Sequence, residues 1–174
     1  RLIIGLLVGG ALALAGAVMQ GVFSNPLADP GIMGVSAGAS LGAVIAIALG
    51  VTSLGMFYMP AFAFVGAFVS VGITIILTLR NNKLDTTTLF LAGVAVSMLL
   101  GAFTSGILTM INEYRLREFL FWMVGGLDFR RWDHVALAVG PIVTGSVILM
   151  MLGRHLNVLV LGDTEARALG LPVM

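Results

Sequence analysis

Read for its apolar and charged positions, the chain falls into long charge-free windows separated by short polar stretches. No Asp, Glu, Lys or Arg occurs in 2–28, 30–79, 86–112 or 135–153. A membrane-crossing helix needs about 20 apolar residues to match a hydrocarbon core of roughly 30 Å. The 30–79 window drawn as one helix would run about 75 Å at ~1.5 Å per residue, more than twice that core. It must therefore fold back. Gly50-Val51-Thr52-Ser53-Leu54-Gly55, with Pro60 just beyond, supplies the break. Five spans are predicted, near 2–23, 34–49, 58–80, 87–110 and 135–153. The length of the runs and the lack of strict alternation predict helices rather than strands. The second span is short. It marks either a transport pathway or a helix held by its neighbours instead of by lipid, and both readings stay open here.

Composition narrows the class. The 174 residues are 59% hydrophobic and 10% charged, with a mean hydropathy of +1.11. A soluble domain carries about 25% charged residues and could not hide so much apolar surface. A soluble globular enzyme and a disordered chain are both set aside. The net charge of +1 argues against a nucleic-acid partner. With no cysteine, disulfides and thiolate metal sites are absent. An apolar run begins directly after Arg1, and the other end follows a polar segment. The expectation is an internal piece of a longer membrane protein.

Small residues recur every four positions, at Gly5, Gly9, Ala13, Ala17 and Gly21; at Gly34, Gly38, Gly42, Ala46 and Gly50; and at Gly93, Ser97, Gly101, Ser105 and Thr109. Residues four apart share a helix face. Small residues there let backbones approach closely in lipid, so a compact multi-helix bundle is expected. Charge does not orient it. Arg80, Lys83, Arg154 and Arg167 fall on one side and Arg1, Arg115, Arg117, Arg130 and Arg131 on the other.

Four polar stretches carry the candidate chemistry. Gln20 to Gly31 holds two prolines, and Gln20 needs a hydrogen-bond partner inside its span. Arg80 to Thr88 offers Asp85 or Thr86 as a helix cap. Asn112 to His134 contains an amphipathic helix near 114–125, with Trp122 and Trp132 as headgroup-level anchors. Residues 161–172 form a brief capped helix, too short to be stable alone and so expected to dock on something. No metal-ligand spacing, nucleophile–base pair or phosphate-binding Gly-Lys loop is visible. No metal and no cofactor are expected.

Several motifs in order resemble one family. Gly16-Ala17-Val18-Met19-Gln20, Asn25-Pro26-Leu27-Ala28-Asp29-Pro30-Gly31 and Gly34-Val35-Ser36-Ala37-Gly38-Ala39 are similar to the signature of the permease subunits of ABC importers for iron-siderophores, haem and cobalamin. Leu91-Ala92-Gly93-Val94, Trp122-Met123-Val124-Gly125-Gly126 and 161–170 match further motifs of that family. The resemblance runs over essentially the whole chain. Thr88 departs from it, standing where relatives often carry a basic residue.

The resemblance implies an all-α integral membrane protein: a polytopic helical bundle with five transmembrane helices here, part of one permease domain of a ten-helix fold. It implies a homodimer in the bacterial cytoplasmic (inner) membrane, served by separate ABC ATPase subunits and a periplasmic or lipoprotein substrate-binding protein. The permease would not itself be an enzyme. It places Asn25, Leu27, Thr86 and Thr87 at a cytoplasmic gate. It places Asp163, Thr164, Glu165, Ala166, Arg167, Leu169 and Gly170 in the helix that couples to the ATPase. Arg1 matches an outer-face arginine that meets the substrate-binding protein. Among the possible cargoes, iron-siderophore is the expectation, with haem and cobalamin as the other two. An ion-coupled secondary transporter is the alternative. It is disfavoured because that mechanism usually places an ionisable residue inside a span, and none of the five has one. An intramembrane enzyme ranks last.

Overall fold

A computed structural model describes residues 1–79, 86–128 and 130–159. Six α-helices follow one another: α1 (Leu2–Val22), α2 (Val35–Leu49), α3 (Tyr58–Thr78), α4 (Thr86–Met110), α5 (Glu113–Val124) and α6 (Trp132–Leu159). Tight 3-10 turns at Pro30–Met33 and Val51–Leu54 flank α2. Among the described residues four helices are long and apolar enough to cross a membrane, at Leu2–Val22, Tyr58–Thr78, Thr86–Met110 and Trp132–Gly153. Helix α2 is the fifth apolar helix and the shortest of them, with 15 residues. Chain reversal before α3 uses Gly50 at φ +73 and Gly55 at φ +158, backbone conformations that other residues rarely adopt. Pro60 lies in the first turn of α3, where its missing N–H has no helical partner to lose.

The chain divides into two compact units, Arg1–Pro30 with Gly126–Met174, and Gly31–Gly125. In the first, α1 packs along α6. Leu6, Leu7, Gly10, Ala11 and Leu14 face Ile142, Val143, Ser146, Val147 and Met150 across a groove of about 420 Å³. Arg1 and Ile3 share a cleft with Trp132 and Val135, while Leu6 to Leu14 lie along Ile142 to Met150, so the two helices run the same way.

The second unit is built around α2. Its buried residues are Gly38, Gly42, Ala43, Val44, Ala46 and Ile47, so its neighbours hold it. A helix of 15 residues spans only about 22 Å, too short for a lipid-exposed span of its own. Helix α3 crosses it antiparallel and close. A methyl group on Gly38 would strike the Gly66 carbonyl, and one on Gly42 the Phe62 carbonyl. The second small-residue stripe thus does what its spacing predicts. The other two do less. Gly93 abuts the Ile32 carbonyl, yet a methyl group on Gly101 would meet nothing beyond its own helix within 4 Å; one on Gly5 would sit 3.5 Å from Leu127 Cδ1, an ordinary contact, and Gly9 faces open space.

Helix α3 is inverted relative to a soluble helix. Its buried residues are Ala63, Ser70, Thr74 and Thr78, while Phe64, Val65, Phe68, Ile76 and Leu77 are exposed. Large apolar groups outside and small or hydroxylic ones inside suit a helix whose solvent is hydrocarbon.

Helix α5 folds back over the end of α2. Asn112 Oδ1 accepts the Arg115 N–H at 3.0 Å and caps it. Phe119 is buried against Val44 and Ile47, with Leu41, Met59, Ile107, Leu108, Ile111 and Trp122 around them. Arg115 Nη1 donates to the Ala48 carbonyl at 2.8 Å, answering one of the acceptors left open at the C-terminus of α2. Trp122 lies one helical turn from Phe119, with ring centroids 6.0 Å apart, and is partly buried against the same cluster. Trp132 is 73% exposed.

Candidate functional site

The loop after α1 is built by its own polar groups. Gln20 Nε2 donates to the Pro26 carbonyl at 3.0 Å, the partner that a glutamine on an apolar helix requires. The Leu27 N–H donates to Asn25 Oδ1 at 2.9 Å, and the Ala28 N–H to the Asn25 carbonyl at 3.0 Å. Asn25 therefore closes a turn on its own side chain, and Pro26 holds it extended from the other direction. The result buries Ala28 and leaves Leu27 86% exposed.

Thr86 and Thr87 lie in the first turn of α4, both exposed. Asp85, the other proposed cap, lies outside the described residues, as do Asp163, Thr164, Glu165, Ala166, Arg167, Leu169 and Gly170.

At the start of α1 and α6, Arg1 joins Ile3, Arg130, Arg131, Trp132 and Val135 around a shallow cleft of about 160 Å³. Arg1 Nη1 lies 3.3 Å from Asp128 Oδ1, with both side chains largely exposed. Arg131 pairs with Asp133 at 3.4 Å, and Arg130 Nε donates to the Gly126 carbonyl at 3.0 Å. Three guanidinium groups at one end of the unit make a basic patch from which the sequence reading had singled out Arg1 alone. Both ion pairs are solvent-screened and contribute little to stability, so the cations can exchange partners at small cost. His134 Nδ1 accepts the Arg131 N–H at 3.3 Å, a local turn contact.

Among the described residues the buried polar side chains are Ser70, Thr74, Thr78 and Thr104, all neutral, and no cluster of His, Asp or Glu could hold a metal ion. Sequence reading missed Ser70 and Thr74, which reach from α3 to the backbone just before α2. Their spacing with Gly66 and Thr78 was the signal available.

These features define a polytopic helical membrane protein with exposed polar loops and no charged group buried among the described residues. Its relatives agree. The chain belongs to the FecCD transport family, whose model matches residues 1–174. It is 43% identical over 175 residues to the cobalamin import system permease protein BtuC of Halobacterium salinarum, covering 99% of this chain and 46% of that protein. To the vitamin B12 import system permease protein BtuC of Citrobacter koseri it is 38% identical, covering 97% of this chain and 50% of that one. An uncharacterized ABC transporter permease protein of Bacillus subtilis, YvrB, is 36% identical, with 99% and 50% covered. The chain thus spans about half the length of the curated relatives it matches. A solved inward-facing structure of a metal-chelate type ABC transporter superposes with a TM-score of 0.88 at 30% identity, over 99% of this chain and 55% of that one.

Proposed function

We propose that this chain forms part of the translocation pathway of an ABC importer permease whose cargo is cobalamin or a closely related metal chelate. The observation that carries the reading is the 43% identity to a cobalamin import permease across 99% of the chain. The relatives' names point to cobalamin in place of the iron-siderophore expected from the resemblance. The permease acts as a homodimer in the cytoplasmic membrane. ATP hydrolysis belongs to a separate ATPase subunit, and an extracytoplasmic binding protein delivers the cargo.

Within that scheme the exposed Leu27, held outward by Asn25, and the exposed Thr86 and Thr87 form the cytoplasmic gate. Residues Asp163 to Gly170 contact the ATPase. Arg1 receives an acidic group of the binding protein, with Arg130 and Arg131 beside it to steer the approach. Exchange of Asp128 for that acidic group keeps Arg1 paired throughout.

Uptake of radiolabelled cyanocobalamin tests the reading, using the full permease with its ATPase and binding protein in proteoliposomes. ATP-dependent accumulation is expected, with excess ferric siderophore or haem failing to compete. Accumulation of ferric siderophore with no cyanocobalamin uptake would overturn the cargo, and accumulation driven by an ion gradient without ATP would overturn the class.

A further inference from the structure

The stretch between the gate loop and α2 is held from two sides. From α3, Ser70 Oγ donates to the Gly34 carbonyl at 2.8 Å, and Thr74 Oγ1 donates to the Met33 carbonyl at 3.2 Å. Thr74 Oγ1 also shares its proton with the Ser70 carbonyl at 3.0 Å. From α4, Gly93 leaves the room that the Ile32 carbonyl occupies, since a methyl group there would strike it. Gly34 sits at φ +81, and a Cβ on it would lie 2.6 Å from Ser70 Oγ. Left-handed backbone and close approach both demand glycine at this position.

The acceptors explain the hydroxyls. The first carbonyl of the α2 ladder is that of Gly34, which receives the Gly38 N–H at 2.9 Å. Met33 lies one residue earlier, outside that ladder. A backbone carbonyl packed against a buried side chain needs a protein donor, and Thr74 supplies one from another helix. Thr78 and Thr104 are placed differently. Each donates four residues back along its own helix, to the Thr74 carbonyl at 2.7 Å and the Leu100 carbonyl at 2.9 Å. Four buried hydroxyls thus divide into two that tie elements together and two that do not. The tied point is continuous with the Asn25–Asp29 loop through the Pro30–Met33 turn.

We propose that Ser70 and Thr74 are positioning residues for the Asn25–Asp29 loop, anchoring its downstream end to α3 so that Leu27 is presented in one place. The consequence for transport rests on the gate reading of that loop; the anchoring itself does not. Two hydrogen bonds across a helix boundary keep the loop's exit in register and so restrict the motion of Leu27.

The test separates the two statements. This stretch contains no cysteine. A nitroxide on Leu27→Cys therefore reports the loop once any cysteines elsewhere in the full protein are replaced. Thr74→Val keeps side-chain shape and Ser70→Ala trims a single atom, and each removes its donor. With both changes the label at position 27 should move roughly twofold faster on the nanosecond scale sampled by its spectrum. Thr74→Ser should restore the original line shape. Thr78→Val and Thr104→Val, which remove equally buried hydroxyls, should leave it unchanged. Identical spectra for all variants would overturn the proposal, as would equal loosening by the two controls. Cyanocobalamin uptake per ATP is then measured on unlabelled protein. Loosening with lost coupling supports the anchor acting on a gate. Loosening with unchanged coupling leaves the anchor standing and removes the loop from the gate.

Discussion

The crossing of α2 and α3 permits a quantitative prediction. A methyl group on Gly42 would lie 2.7 Å from the Phe62 carbonyl carbon and 3.1 Å from the Ala63 Cα, with the Phe62 oxygen closer still. These atoms are backbone, so no side chain can swing aside. The helices must separate by several tenths of an ångström to about 1 Å. A gap of that size forfeits about a quarter to a half of each contact's attraction, which is roughly 0.1–0.2 kcal/mol per atom pair. Over on the order of 40 pairs at such a crossing, Gly42→Ala should cost about 1–3 kcal/mol, the range seen when extra methylenes are forced into packed cores. Gly101→Ala is the comparison. Nothing beyond its own helix lies within 4 Å of its built Cβ, and the change should stay within about 0.5 kcal/mol. In detergent-solubilised full-length permease, thermal unfolding followed by size-exclusion chromatography reads the difference. Gly42→Ala should melt roughly 2–6 °C lower than wild type, at about 2 °C per kcal/mol for a long chain, and Gly101→Ala should melt with wild type. Equal melting of the two variants would refute close packing at this crossing and, with it, the assignment of α2 as a helix held by its neighbours.

Three further outcomes follow from other parts of the molecule. Phe119→Ala should cost about 3–5 kcal/mol because Phe119 is 1% exposed between Val44 and Ile47, while Arg115→Ala should cost about 1–2 kcal/mol by removing a charged donor from the Ala48 carbonyl; protease cleavage within α5 measures both, and unchanged cleavage would count against docking of α5 on α2. Cysteines at Thr86 or Thr87 should cross-link to the symmetry mate in the full dimer and stop cyanocobalamin uptake, so cross-linked protein transporting at full rate would remove them from the gate. Ala166→Glu should leave membrane insertion intact but abolish co-purification with the ATPase, because a bulky anion beside Glu165 blocks close approach; an Ala166→Glu permease that retains its ATPase would end the coupling assignment.

Charge-free windows in the sequence located the helices because hydrocarbon admits few other structures: each backbone group must be satisfied within its own helix. The Gly50–Gly55 break was equally legible, since two glycines at positive φ leave a local signature. The family motifs carried the candidate gate residues, and the chemistry of Gln20 already required a partner that Pro26 then supplied.

Partner choice was not legible. Gly42 and Gly101 belong to stripes of the same spacing, yet one meets backbone and the other meets nothing beyond its own helix within 4 Å. Spacing defines a face, while the neighbour of that face is set by how distant segments cross. The Gly66, Ser70, Thr74 and Thr78 row on α3 shows the same limit. Its four-residue period is local, but the Met33 carbonyl that Thr74 serves lies 41 residues away. The contact of Trp122 with Phe119, and through it with Val44 and Ile47 of α2, is likewise a tertiary choice. By itself the sequence determined which segments enter the membrane, because transfer of a segment into hydrocarbon depends mainly on its own residues. Only the tertiary structure decided which helix faces meet and which hydroxyl serves which carbonyl, because those pairings join groups far apart along the chain.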